Sequence, residues 1–150
     1  MKLYGHPIHA ILVTFPIGLL STAVVVDLIR FFTGEARLDY VAFCMLLAGV
    51  LVGLPAALFG LLDWLGITSA SRAKAVGLWH GLGNALVLAL FAASAWLRWQ
   101  LGPTADFPST AHCLSLAGAA ILLVTGWLGG ELVYRHGIGV EAGGKQSNHG

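Results

Sequence analysis

Four stretches of the sequence, Ile8–Val26, Tyr40–Leu62, Ala75–Leu97 and Pro108–Gly130, contain no Asp, Glu, Lys or Arg. A helix that crosses a membrane needs about 20 apolar residues, because ~30 Å of hydrocarbon is covered at about 1.5 Å per residue. All four stretches meet that length. Lipid leaves no water to bond a free N–H or C=O, so each stretch must close its own backbone hydrogen bonds as a helix. Charged residues make up only 10% of the 150 residues, against about 25% in a soluble domain. The chain therefore cannot cover a water-facing surface.

The spans predicted with their polar ends are about 8–30, 40–64, 75–98 and 108–134. The segments between them are short and rich in Gly, Ser, Thr, Asp and Arg, which forces neighbouring helices to run antiparallel. The fold class is an all-α integral membrane bundle of four helices, up-down-up-down, forming one domain over residues 1–136. A tail over 137–150, rich in Gly, Lys, Gln, Ser and Asn, is expected to be flexible. The uncharged run from Ile8 to Val26 is 19 residues, longer than the roughly 7–15 of a signal peptide's apolar region, so it reads as a retained helix. Cys44 and Cys113 lie within apolar segments and behave as small hydrophobes rather than as a disulfide framework. Small residues four apart (Gly49-Gly53-Ala57, Gly77-Gly81, Gly126-Gly130) read as helix-packing surfaces. A net charge of +1 and the lack of a basic run exclude nucleic acid as a partner.

Threading the chain up and down decides which polar residues share a membrane face. Side A is the face of the N-terminus. His6 and His9 open the first span there, Asp63 closes the second, His80 lies in the first two turns of the third, and Glu131, Arg135 and His136 close the fourth. The termini lie on the same side. Lys2, Arg72, Lys74, Arg135 and Lys145 fall on side A against Arg30, Arg37 and Arg98 on side B, which favours a cytoplasmic side A in an inner (plasma) membrane. Side B also holds His112 and Asp27. Asp27 is predicted to pair locally with Arg30, in a purely structural role. Trp64, Trp79, Trp127 and Tyr134 on one side, and Tyr40, Trp96 and Trp99 on the other, occupy interfacial positions.

Imidazoles kept inside a hydrophobic register face the bundle interior and need a partner. Neutral imidazole is a common ligand of metals and haem iron. His9 and His80 are the first-choice ligands for one haem b, with His136 and His6 in reserve. A transition-metal ion held by His6, His9, His80, Asp63 and Glu131 is the related reading, the carboxylates also being able to orient a ligating ring. Asn84, one turn after His80, shares its face. The competing reading is a non-catalytic structural or partner subunit whose His/Asp/Glu set is a hydrogen-bond network locking the loops. A proton- or ion-conducting bundle ranks below both, since only Asn84, Thr14 and Thr125 lie between the two polar ends. HExxH, CxxC and CxxCH are absent, as is a phosphate-cradling loop, which removes metalloprotease, thiol-zinc and c-type haem chemistry. The chain is expected not to be an enzyme on its own, and a redox partner or homo-oligomer is expected alongside the lipid bilayer.

Four segments, GHPIHAILVTFPIGLL at Gly5–Leu20, GLLDW at Gly60–Trp64, WHGLGN at Trp79–Asn84 and GWLGGELVYRHGIGV at Gly126–Val140, resemble a bacterial family of membrane proteins catalogued as domain of unknown function 2231. The resemblance spans nearly the whole chain and implies a four-helix membrane bundle. Its motif residues match His6, Pro7, His9, Asp63, His80, Glu131, Arg135 and His136. The family often carries a histidine where this chain has Thr14, which removes a third ligand from the first helix. The outline is also similar to small b-type membrane cytochromes, but those pair histidines at both faces. Side B offers only His112, so one haem at most is implied.

Overall fold

The computed structural model describes residues 2–3, 6–67, 72–102 and 109–135, with side chains from Ile8 onward. Four long helices account for nearly all of it: α1 (Ile8–Thr33), α2 (Arg37–Leu65), α3 (Arg72–Leu101) and α4 (Thr110–Tyr134). Ahead of them, Lys2–Leu3 pairs with His6–Pro7 in a two-residue antiparallel bridge. Pro7 thus immediately precedes α1, where its missing N–H interrupts no helical bond.

The helices are 26, 29, 30 and 25 residues long, somewhat more than a bilayer core requires. They exceed the uncharged stretches because Asp27, Arg30, Arg37, Asp39 and Arg98 all lie within helices rather than in loops. The α1–α2 connection shrinks to residues 34–36, where Gly34 adopts a positive φ of 74°. That left-handed conformation is open to glycine at little cost. At the start of α4, Ser109 and His112 form a reciprocal capping box. All four helices are long and apolar enough to cross a membrane.

The chain packs mainly as two hairpins, α1 on α2 and α3 on α4, with α2 against α3 closing the bundle and a narrower contact between α1 and α4. The core holds Leu20, Ala23, Val24, Phe43, Leu46, Val87, Phe91 and Ala95. These residues occupy the middle and the side B half of the bundle's height. Toward side A, beyond the level of Pro16, Ala56, Val87 and Thr125, only Gly77 and Leu132 are buried among the described residues. The outer wall is the reverse of a soluble protein's. Phe15, Leu51, Leu54, Leu58, Leu123 and Val124 are each more than half exposed, a surface that only lipid covers without aggregation. Trp79, Trp96, Trp99, Trp127, Tyr40 and Tyr134 are also exposed, near the helix ends where interfacial rings belong.

The small-residue pairs serve packing only in part. An added Cβ at Gly49 or Gly53 would meet Leu20 or Leu88, and one at Gly77 would meet Trp64. An added Cβ at Gly81, Gly126 or Gly130 would meet no atom of another helix within 4 Å among the described residues. Spacing alone could not tell which side of a helix meets a neighbour.

Candidate functional site

The two histidines inside the hydrophobic register are held in the same way. The His9 ring on α1 lies against Gly60 of α2, at 2.8 Å from the position a Cβ would take, and its Nδ1 is 2.8 Å from the Ala56 carbonyl oxygen. The His80 ring on α3 lies against Gly129 of α4, at 2.9 Å from a Cβ position, and its Nδ1 is 2.9 Å from the Thr125 carbonyl oxygen. In both helices the carbonyl lies one turn from the glycine, which makes the room the ring occupies. A carbonyl oxygen only accepts, so Nδ1 carries the proton in each ring. In the neutral imidazole the lone pair then sits on Nε2.

The surroundings of the two rings differ at one point. Asn84 approaches the His80 ring, with Nδ2 at 3.1 Å from Nε2, and the same amide nitrogen is 2.9 Å from the His80 carbonyl. Its Oδ1 accepts from Thr125 Oγ1 at 3.2 Å. His80, Asn84 and Thr125 therefore tie α3 to α4 in the side A half of the bundle. Trp64 adds a clasp at side A: its indole N–H donates to the Lys74 carbonyl at 3.0 Å, and the Lys74 ammonium sits 5.3 Å from the ring centroid.

The other expected site residues are spread out. Asp63 is half-buried on the last turns of α2. Glu131 accepts a hydrogen bond from the exposed Arg135 at 3.3 Å, one turn along. The side chain of His6 and the whole of His136 lie outside the described residues. Among the described residues, no three of His, Cys, Asp and Glu gather as a metal-binding group.

Polar chemistry is not confined to side A. The most deeply buried ionic groups lie toward side B. Arg98, 2% exposed, donates to both oxygens of Asp27, at 2.8 and 2.6 Å, across the bundle from α3 to α1. Arg98 also reaches Ser115 Oγ at 3.4 Å. Ser115 and Ser94 share a hydrogen bond of 2.8 Å, and the Ser94 hydroxyl reaches the Ala111 carbonyl at 2.7 Å. His112 Nδ1 accepts from the Ser109 N–H at 3.1 Å, and its Nε2 stands 3.8 Å from Asp27. The local Asp27–Arg30 pair expected from spacing does not form. Arg30 bonds instead to Asp39 of α2, at 3.1 Å. Asp39 is completely buried, and its Oδ1 has no hydrogen-bond partner among the described residues. The physical reason is burial. Although Asp27 and Arg30 share a face of α1, each is turned into the bundle, where a group of opposite charge on another helix meets it, Arg98 of α3 for Asp27 and Asp39 of α2 for Arg30. Arg98 as that partner is legible only once the diagonal from α1 to α3 is known.

Four apolar, lipid-facing helices whose interior holds the Arg98–Asp27 and Arg30–Asp39 ion pairs define a multi-pass α-helical membrane protein. The chain belongs to the family described as predicted membrane protein, domain of unknown function 2231, whose model matches residues 5–142. No curated protein and no solved structure matches it.

Proposed function

We propose that this protein is a small redox or sensing subunit of the plasma membrane that would hold one haem b near side A, with His9 and His80 as the residues that bind it. The observation that carries this reading is the matched pair of rings, each fixed through Nδ1–H to a neighbouring helix's carbonyl. A ligating histidine is held in this way, its tautomer set and Nε2 left with the lone pair. The scarcity of buried side chains toward side A supports the same reading, since a prosthetic group would supply the missing core there. Bound haem would provide one-electron chemistry. The chain itself would fix the two rings, surround the macrocycle with apolar side chains and exclude water. Asn84 would have to release Nε2 of His80 on ligation and keep its bond to Thr125. A metal-ion version of the site would draw on His6 or His136 to complete a ligand set. With side A cytoplasmic, as the distribution of Lys and Arg favours, an electron partner would approach from that face.

The test is the absorption spectrum of protein purified in mild detergent, alone and after titration with haemin, together with metal analysis. A six-coordinate low-spin spectrum that disappears in His9→Ala and in His80→Ala is expected. Colourless, metal-free protein that ignores added haemin refutes the reading.

A second reading rests on the Asn84 contact. With Nδ1 on Thr125 and Nε2 on Asn84, the His80 ring is already satisfied within the chain, as in a network that only fastens helices. That reading expects His80→Ala to lower thermal stability with no change in any bound cofactor.

A further inference from the structure

The matched histidines belong to a wider correspondence. Asp27 and Arg98 are 71 positions apart, and so are His9 and His80. Advancing the buried α1 residues Pro16, Leu20, Ala23 and Val24 by 71 gives Val87, Phe91, Ser94 and Ala95, all buried on α3. Advancing Ala42, Phe43, Leu46, Gly49 and Ala56 of α2 by 69 gives Ala111, His112, Ser115, Gly118 and Thr125, all buried on α4. The sequence carries the same register: AFCMLLAG at Ala42–Gly49 and AHCLSLAG at Ala111–Gly118 share five of eight residues. Contacts repeat too. Gly49 faces Leu20 where Gly118 faces Phe91, and Gly60 faces His9 where Gly129 faces His80. The relation is approximate, α2 and α3 meeting more broadly than α1 and α4, as their short direct connection requires.

Helices α1 and α3 both run from side A to side B, so the operation exchanging them is a two-fold rotation about an axis along the bundle. Residues that correspond under such a rotation meet each other only at the axis. Asp27 and Arg98 do so. Two identical residues would face each other there in a symmetric pair of hairpins. In this chain they are an acid and a base.

We infer that the chain is two copies of one helical hairpin joined in tandem, each with an inner face fitted to another hairpin of its own kind, and that Asp27 and Arg98 restrict this face to a partner of opposite charge. First hairpin against first hairpin, from two chains, would bury two carboxylates together. Second against second would bury two guanidiniums. Only the first against the second satisfies both, so the buried pair selects the correct partner, a use of buried charge known from helical assemblies. The inference is independent of any cofactor at side A.

The experiment is a transposition across the axis in the full chain, read by thermal unfolding and size-exclusion chromatography in mild detergent. Arg98→Asp and Asp27→Arg singly place like charges at the axis and are expected to lower the unfolding temperature by roughly 10 °C and to broaden the elution profile. The exchange Asp27→Arg with Arg98→Asp is expected to recover at least half of that loss. Moving the surroundings as well (Phe43→His with His112→Phe, Leu46→Ser with Ser115→Leu) is expected to recover more, because each charge then regains its own neighbours. Exchanged chains no better than the single reversals would overturn the inference, as would single reversals that change nothing.

Discussion

Replacing Arg98 by methionine isolates what the buried ion pair contributes. The guanidinium is 2% exposed and the Asp27 side chain 9%, and two charge-assisted bonds join them at 2.8 and 2.6 Å. Arg98→Met keeps most of the side chain's volume but leaves Asp27 as a buried carboxylate with His112 Nε2 at 3.8 Å. Breaking one side of such a pair costs about 3–5 kcal/mol, whereas replacing both partners with well-packed apolar residues is often neutral or stabilising by about 1–4 kcal/mol. At roughly 2–4 °C per kcal/mol for a chain of this size, Arg98→Met should unfold roughly 10 °C below the wild type. Asp27→Leu/Arg98→Met should unfold at or above it. Five tryptophans make intrinsic fluorescence on heating in mild detergent a direct assay. Arg98→Met that unfolds like the wild type would refute the burial of the pair. A double variant as unstable as the single would refute the claim that the loss comes from an orphaned charge.

Other outcomes follow from single contacts. Ser94→Ala removes a fully buried hydroxyl that joins Ser115 to the Ala111 carbonyl and should cost about 1 kcal/mol in the same assay. Gly60→Leu and Gly129→Leu drive a side chain into the His9 and His80 rings; each should lose about 1–3 kcal/mol and abolish the spectral response to haemin. Ser109→Ala takes away half of the α4 capping box and should cost about 1 kcal/mol, with faster amide exchange in the first turn of α4. Glu35, in the α1–α2 connection, titrates below its ordinary value because of its hydrogen bonds from Arg37. A lowered carboxyl stabilises the fold above its unfolded value and stops doing so as pH falls through the folded one. Glu35 is exposed and its pairing with Arg37 is screened by solvent, so Glu35→Gln should leave the unfolding temperature unchanged from pH 7 to pH 5.

The four crossings were legible because lipid admits few solutions: an uncharged run of sufficient length has to be a helix, and short loops have to alternate its direction. His9 and His80 stood out for the same reason, as imidazoles in an apolar register. Helical phase places a residue on a face but does not name the neighbour on that face. Asp27 and Arg30 share a face, yet they pair with Arg98 and Asp39 from other helices. Asp39, a charged residue just before the second uncharged stretch, is completely buried. Ser94 and Ser115 gave no signal, since a serine in a span is unremarkable until another hydroxyl faces it. The shared residues of Ala42–Gly49 and Ala111–Gly118 carry the doubled hairpin in the sequence itself.

Among the described residues, packing is graded along the height of the bundle, filled toward side B and sparse toward side A. Local opening is easiest where few contacts must be given up, so the two hairpins are pinned at side B by the buried Asp27–Arg98 ion pair and held more lightly at side A, where the Trp64 clasp joins α2 to α3. Amides near Leu46, Phe91 and Ser115 should exchange last, and those near His9, Gly60, His80 and Gly129 first. A molecule dissolved in the bilayer would thus enter between the hairpins from the side A end, without having to unseat the ionic fastening at the other.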